Sequence, residues 1–215
     1  GIEQTQVDPE ANYTFVNGLK SLMRQDPDVI LIGEVRDLET ANIAIQASLT
    51  GHLVFSTVHA NQASGAIPRL IDLGVKPTSI GPALNLIIAQ RLVRRLCENC
   101  KTLDKSAEKL KSKLEKLLKS LPGRVNKKEY EKIIVYKPKG CVKCGDAGYK
   151  GRIAIYELLQ VTKDIEKLMN AQAGEIEIQE FAIKQGMVTM QQDGLLKVAS
   201  GITTLEEVEK LTGQT

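Results

Sequence analysis

Tryptophan is absent from the 215 residues, and the three Phe and five Tyr that complete the aromatic set are scattered. Single-stranded nucleic-acid binding couples a basic groove to stacking rings, so this scarcity argues against it. Long apolar runs are missing too. Val29 to Ile32 is typical of those present, against the roughly 20 apolar residues of a membrane-spanning helix. No basic segment followed by an apolar one opens the chain to suggest a secretory leader. Overall charge is only +3. What remains, 26% charged and 42% hydrophobic, is the composition of an ordinary soluble globular chain with one core, or a core and a small satellite. It opens at Gly1 rather than methionine, and the expectation is a piece of a longer polypeptide.

The modest net charge is unevenly spread. Lys101 to Lys139 holds thirteen Lys and Arg against five Asp and Glu, leaving 16 against 21 elsewhere, so the basic character is one segment. That segment lies between two cysteine pairs, Cys97-Glu98-Asn99-Cys100 and Cys141-Val142-Lys143-Cys144. A two-residue spacer turns the second thiolate back beside the first, so two C-x-x-C pairs supply the four corners of a tetrahedral Zn2+ site. Disulfides fit poorly with a chain that shows no export signal. The 40 residues between the pairs exceed the usual zinc-ribbon spacing.

Apolar periodicity predicts a helix over residues 12–25, stopped by Asp26-Pro27, then a buried strand Val29–Ile32 covered on both faces. Residues 38–49 read as a helix ending at Thr50-Gly51, and residues 52–59 as a second buried strand. Strand, helix, strand with short connections is a parallel βαβ unit, and ligands of such sheets bind beyond the carboxyl ends of the strands. Glu34 and His59 fall there. Helices are predicted over 62–73 and 77–95, the second ending in Arg91, Arg94 and Arg95, where positive charge suits the macrodipole. Residues 104–121 carry leucines on one stripe and lysines elsewhere, an amphipathic helix expected to project from the core. Short strands are expected at 133–136 and 153–159. Helices follow, beginning at the N-cap Thr162, over 176–184, over 189–199, and after a capping box of Thr204 and Glu207.

Two longer stretches carry a resemblance. Arg24-Gln25-Asp26-Pro27-Asp28-Val29-Ile30-Leu31-Ile32-Gly33-Glu34-Val35-Arg36-Asp37 resembles the Walker B region of the type II secretion and type IV pilus-assembly ATPases. Thr50-Gly51-His52-Leu53-Val54-Phe55-Ser56-Thr57-Val58-His59-Ala60-Asn61 resembles their histidine box. Gln90-Arg91-Leu92-Val93-Arg94, the tetracysteine element and Gly148-Tyr149-Lys150-Gly151-Arg152 continue the likeness in order. The cysteines favour the secretion and pilus-extension branch over the retraction motors, which generally lack this module.

The resemblance implies an α/β fold: the second half of a RecA-like parallel-sheet core over 1–96, a tetracysteine zinc module with a basic insertion over 97–152, and a helical subdomain over 153–215. It implies ATP and Mg2+ for the parent protein, with Glu34 orienting or deprotonating the attacking water. His59 would sense the γ-phosphate and His52 support the same region. Arg24 and Arg36 would carry charge toward the phosphates or a neighbouring subunit, and Gln90 and Arg91 would lie near the nucleotide. It further implies a homo-oligomeric ring, a hexamer, at the cytoplasmic face of the inner membrane. Such a ring would work on a membrane platform or cytoplasmic assembly proteins, without nucleic acid. No G-x-x-x-x-G-K-[S/T] phosphate loop occurs, so this stretch by itself is expected not to hydrolyse ATP. The reading of different class is a non-catalytic interaction module, in which the zinc element and helical tail dock a membrane platform or partner.

Overall fold

The computed structural model describes all residues except 1, 9, 12, 131, 214 and 215. Two compact units form, Gly1–Ile87 with Gln160–Phe181, and Ile88–Leu159 with Ala182–Thr215. The segment 153–215, grouped as one helical subdomain from the sequence, is thus shared between both.

In the first unit, helix α1 (Phe15–Leu22) starts where Thr14 Oγ1 accepts the Asn17 amide at 3.2 Å. The start of the expected 12–25 helix, residue 12, lies outside the described residues. After a single 3-10 turn, Asp26 adopts a left-handed conformation (φ 53°) and Pro27 follows, which ends the helical path. Strand β1 (Val29–Leu31) then runs parallel to β2 (Leu53–Phe55), with Val29 opposite Leu53 and Leu31 opposite Phe55. Helix α2 (Leu38–Leu49) connects them, capped by Asp37, whose carboxylate accepts the Thr40 amide at 2.8 Å. Leu19, Ile30, Ile32 and Ala47 form the core beneath.

The expectation that β1 is covered on both faces does not hold. Ile30 and Ile32 are buried, while Val29 is 54% and Leu31 78% exposed. Only alternate residues point at α1 and α2, because a strand sends neighbours to opposite faces. Helices α3 (Ala66–Asp72), α4 (Pro77–Ala83), α6 (Lys163–Asn170) and the first residues of α7 (Glu175–Lys184) complete this unit.

The second unit corrects the predicted 77–95 helix. Helix α4 stops at Ala83, and Leu86–Leu96 is a strand, β3, paired with β6 (Tyr149–Gln160). Ile88 and Leu92 face outward while Val93 and Leu96 are buried. A short apolar run fits both periods. Pro82 and a twelve-residue partner strand decide for the extended form. Arg91, Arg94 and Arg95 therefore lie on a strand, not at a helix terminus. The 133–136 strand contracts to β5 (Tyr136–Lys137), which pairs antiparallel with β4 (Thr102–Leu103). Helix α5 (Glu108–Ser120) does not project from the core. Leu114 is 1% exposed, and with Leu110 and Leu117 it packs among Leu195, Val198 and Ala199 of α8 (Met190–Ala199).

The expected capping box of α9 (Leu205–Thr212) is absent as well. Thr204 occupies the N-cap without a capping bond, and its hydroxyl meets the Tyr149 hydroxyl at 3.0 Å. The Glu207 carboxylate instead takes the Arg94 guanidinium through Nε at 2.9 Å and NH2 at 2.6 Å. It also accepts the Arg94 amide at 3.2 Å. A two-pronged charged contact is stronger than one neutral capping bond. Arg94 and Lys210 beside it hold Glu207 at about 2, against the cost of its burial.

Candidate functional site

Parallel pairing continues past the ends of β1 and β2. The Ile32 amide donates to Phe55 O at 2.8 Å, the Val35 amide to Thr57 O at 2.9 Å, and Thr57 Oγ1 to Gly33 O at 2.7 Å. These bonds fix the two chains as they leave the sheet, so Glu34 and His59 emerge side by side at its carboxyl end. His59 Nε2 lies 3.1 Å from Glu34 Oε2, and the Arg36 guanidinium pairs with Oε1. Glu34 is 29% exposed at its side chain, Arg36 74% and His59 85%. The Arg36 contact, helped by His59, lowers the Glu34 pKa against the opposing effect of desolvation. The result is an ionised carboxylate flanked by two nitrogen groups that face solvent, where a bound oxyanion and a water could both be reached.

Of the other residues singled out in the sequence, His52 stands at the opposite end of β2. Its Nδ1 lies 3.0 Å from Ala47 O and 3.2 Å from Thr50 Oγ1, closing the end of α2. Arg24 sits in the turn before β1, exposed. Gln90 and Arg91 lie on β3, within the second unit. The structure brings together Glu34, Arg36 and His59. Thr57 was not singled out, although the hydroxyl pair Ser56-Thr57 that ends the apolar run Leu53–Phe55 was a usable signal.

The second site is the cysteine cluster. The four sulfurs lie within 4.8 Å of one another, with Cys97–Cys141 at 4.0 Å, Cys100–Cys144 at 3.8 Å and Cys141–Cys144 at 3.7 Å. A tetrahedron with Zn–S bonds of about 2.3 Å has edges of about 3.8 Å, so these residues fit a zinc ion. Pairing of Thr102 with Lys137 and Leu103 with Tyr136 closes the long excursion between the two knuckles and returns Cys141 beside Cys97. In the second knuckle Cys141 O accepts the Cys144 and Asp146 amides, each at 3.0 Å. Gly148 (φ 75°) passes so near Pro138 that an added Cβ would lie 2.5 Å from its Cβ. Desolvation pushes the Cys100 thiol up to about 12. Desolvation opposes ionisation at Cys144, but the Cys141 and Gly148 amides together with the Cys141 and Cys100 thiols bring it to about 7.

Among the described residues no helix is long and apolar enough to cross a membrane. The family model described as type II/IV secretion system protein matches residues 1–210. The type II secretion system ATPase E of Vibrio cholerae is 47% identical over 212 residues, which are 99% of this chain and 40% of that protein. The type IV pilus assembly ATPase PilB of Thermus thermophilus is also 47% identical, over 97% of this chain and 22% of its own length. The chain thus spans less than half of these relatives. Among solved structures, the pilus retraction motor PilT with bound ADP superposes with a TM-score of 0.60 at 25% identity, over 94% of this chain and 44% of that one. The Yersinia pseudotuberculosis ATPase DotB gives 0.64 at 21%, over 98% and 43%, a likeness of fold.

Proposed function

The chain belongs to the type II/IV secretion system protein family, and on that footing we propose that it is the C-terminal portion of an ATP-hydrolysing motor subunit for type II secretion or type IV pilus assembly. The observation that carries the reading is the Glu34–Arg36–His59 group at the carboxyl end of two parallel strands. Phosphoryl transfer to water needs positioning and charge more than covalent help. In this assignment Glu34 orients or deprotonates the water, while His59 and Arg36 turn from Glu34 toward the γ-phosphate oxygens. His52 serves the same strand from its other end by securing α2. Arg24, Gln90 and Arg91 remain candidates for contacts made when the nucleotide or a neighbouring subunit is present. Supporting this, relatives at 47% identity are ATPases of both machines.

The chain contains no G-x-x-x-x-G-K-[S/T] segment, so a cradle for the β-phosphate and a hydroxyl for Mg2+ are not supplied by that motif here, and no step is assigned to the ion. Zn2+ at Cys97, Cys100, Cys141 and Cys144 would act structurally, clamping the two knuckles. The working form proposed is a homo-oligomeric ring, a hexamer, at the cytoplasmic face of the inner membrane, engaging a membrane platform or cytoplasmic assembly proteins. Phosphate release with Mg2+ and ATP tests the reading. The full-length polypeptide carrying this sequence should turn over, and the 215-residue chain should stay at background. A full-length protein that neither binds nor hydrolyses ATP would end it.

A further inference from the structure

We infer that Glu175, at the start of α7, is a positioning residue for His59. The inference rests on the nucleotide reading of His59 given above. His59 is 85% exposed, and its ring meets Glu34 at 3.1 Å. An imidazole so exposed does not fix its own place, so the backbone on either side must. Two residues upstream, Thr57 is tied to Gly33 and Val35. Three residues downstream, Gln62 Nε2 donates to Glu175 Oε1 at 2.7 Å, across 113 positions of sequence.

The downstream anchor sits in a shaped seat. Ala63 is 1% and Ser64 0% exposed, so the segment after His59 is packed in place rather than free in solvent. Gly65 has an ordinary right-handed backbone (φ −70°, ψ −18°), yet a Cβ there would lie 2.9 Å from Glu175 Oε1. Space for the carboxylate, rather than backbone freedom, is what this glycine provides. The first turn of a helix is also where a carboxylate is favoured. One helix earlier the same device recurs: a Cβ on Gly81 of α4 would lie 2.7 Å from Glu166 Cγ of α6. Helices α6 and α7 are thus seated on the catalytic unit by two acidic side chains lying over two glycines. Any shift at the start of α7 moves the loop that carries His59, and a γ-phosphate drawing on His59 pulls on α7 through Gln62.

Two measurements separate this from the nucleotide reading. The first is backbone hydrogen exchange across residues 59–64 of the chain. Glu175→Ala, and independently Gly65→Ala, should raise it about tenfold, the weight of one charged hydrogen bond, with α6 unchanged. Glu175→Gln keeps an acceptor for Gln62 and should restore slow exchange. The second is steady-state turnover of the full-length protein, where Glu175→Ala should lower kcat about tenfold with KM within about twofold, again rescued by Glu175→Gln. Unchanged exchange in both alanine variants would overturn the anchor. Faster exchange with unchanged kcat would overturn its role in positioning His59. A wild-type protein without turnover would remove the nucleotide reading and the role with it, while exchange still judged the contact.

Discussion

At the ends of β1 and β2 the reactive side chains stand in solvent, His59 at 85% and Arg36 at 74% exposure. In the cysteine cluster Cys97 is 1% exposed and the four sulfurs face one another. The first site is held by backbone behind it, through Thr57 and Gly33, and leaves its charges available to something arriving. The second is held by backbone around it, through tight knuckles with left-handed Gly145 and Asp146, and leaves room for an ion alone. An open arrangement suits a ligand that comes and goes; a closed one suits a ligand that stays.

The largest effect should come from emptying the closed site. Structural zinc contributes about 10–16 kcal/mol of apparent binding energy at neutral pH, so a chelator, or Cys144→Ser, should unfold the knuckles and lower the melting temperature of the second unit. Metal content and thermal melts, read together, check this. An unchanged melt with no bound zinc would erase the contrast between the sites.

Next in size is Glu34→Gln in the full-length protein. Removing a general base or water-orienting carboxylate costs about 10²–10⁴-fold in rate, so phosphate release should nearly vanish while equilibrium ATP binding persists. Unimpaired turnover would take Glu34 out of the mechanism.

Glu207 sharpens the comparison from the second unit. Its pKa is depressed to about 2 from 4.5. A depressed carboxylate adds stability above its unfolded pKa and loses it as pH falls through the folded one, which is worth about 3 kcal/mol in all. Denaturant unfolding should show that loss between about pH 4.5 and 2, and Glu207→Ala should remove most of the dependence at once. A pH-independent midpoint over that window would contradict it.

The smallest effect belongs to Arg36. It is the leading cause of the lowered Glu34 pKa, so Arg36→Gln should move the acid limb of the kcat/KM profile to higher pH. A limb that moves down, or stays, would show that another group sets it.

Much of this was legible in the residues. Gly33-Glu34 closing an apolar β-branched run, and His59 closing the next, placed both groups at one sheet end because parallel strands share direction. The end of α2, Leu38–Leu49, followed from Thr50-Gly51 after it. The two C-x-x-C pairs announced the cluster. Leu86–Leu96 was misread because Ile87, Ile88 and Leu92 satisfy a helical stripe and a strand alike, and only the distant β6 breaks the tie. Glu207 was misread because a capping box is a local pattern, whereas Arg94 lies 113 residues away. For the same reason Gln62 and Glu175 could not be matched before the chain was folded: neither carries a local mark of the other.

The short β4–β5 ladder has a bearing on engineering. Because Thr102–Lys137 and Leu103–Tyr136 bring the strands together just beyond the cysteines, the four thiols do not feel how long the stretch between them is. Lengthening it at the exposed Gly123–Arg124 turn should cost only the slow logarithm of loop closure, about 0.6 kcal/mol per doubling. That turn is a natural port for a fluorescent reporter or an affinity handle, carried without loosening the cysteine cluster.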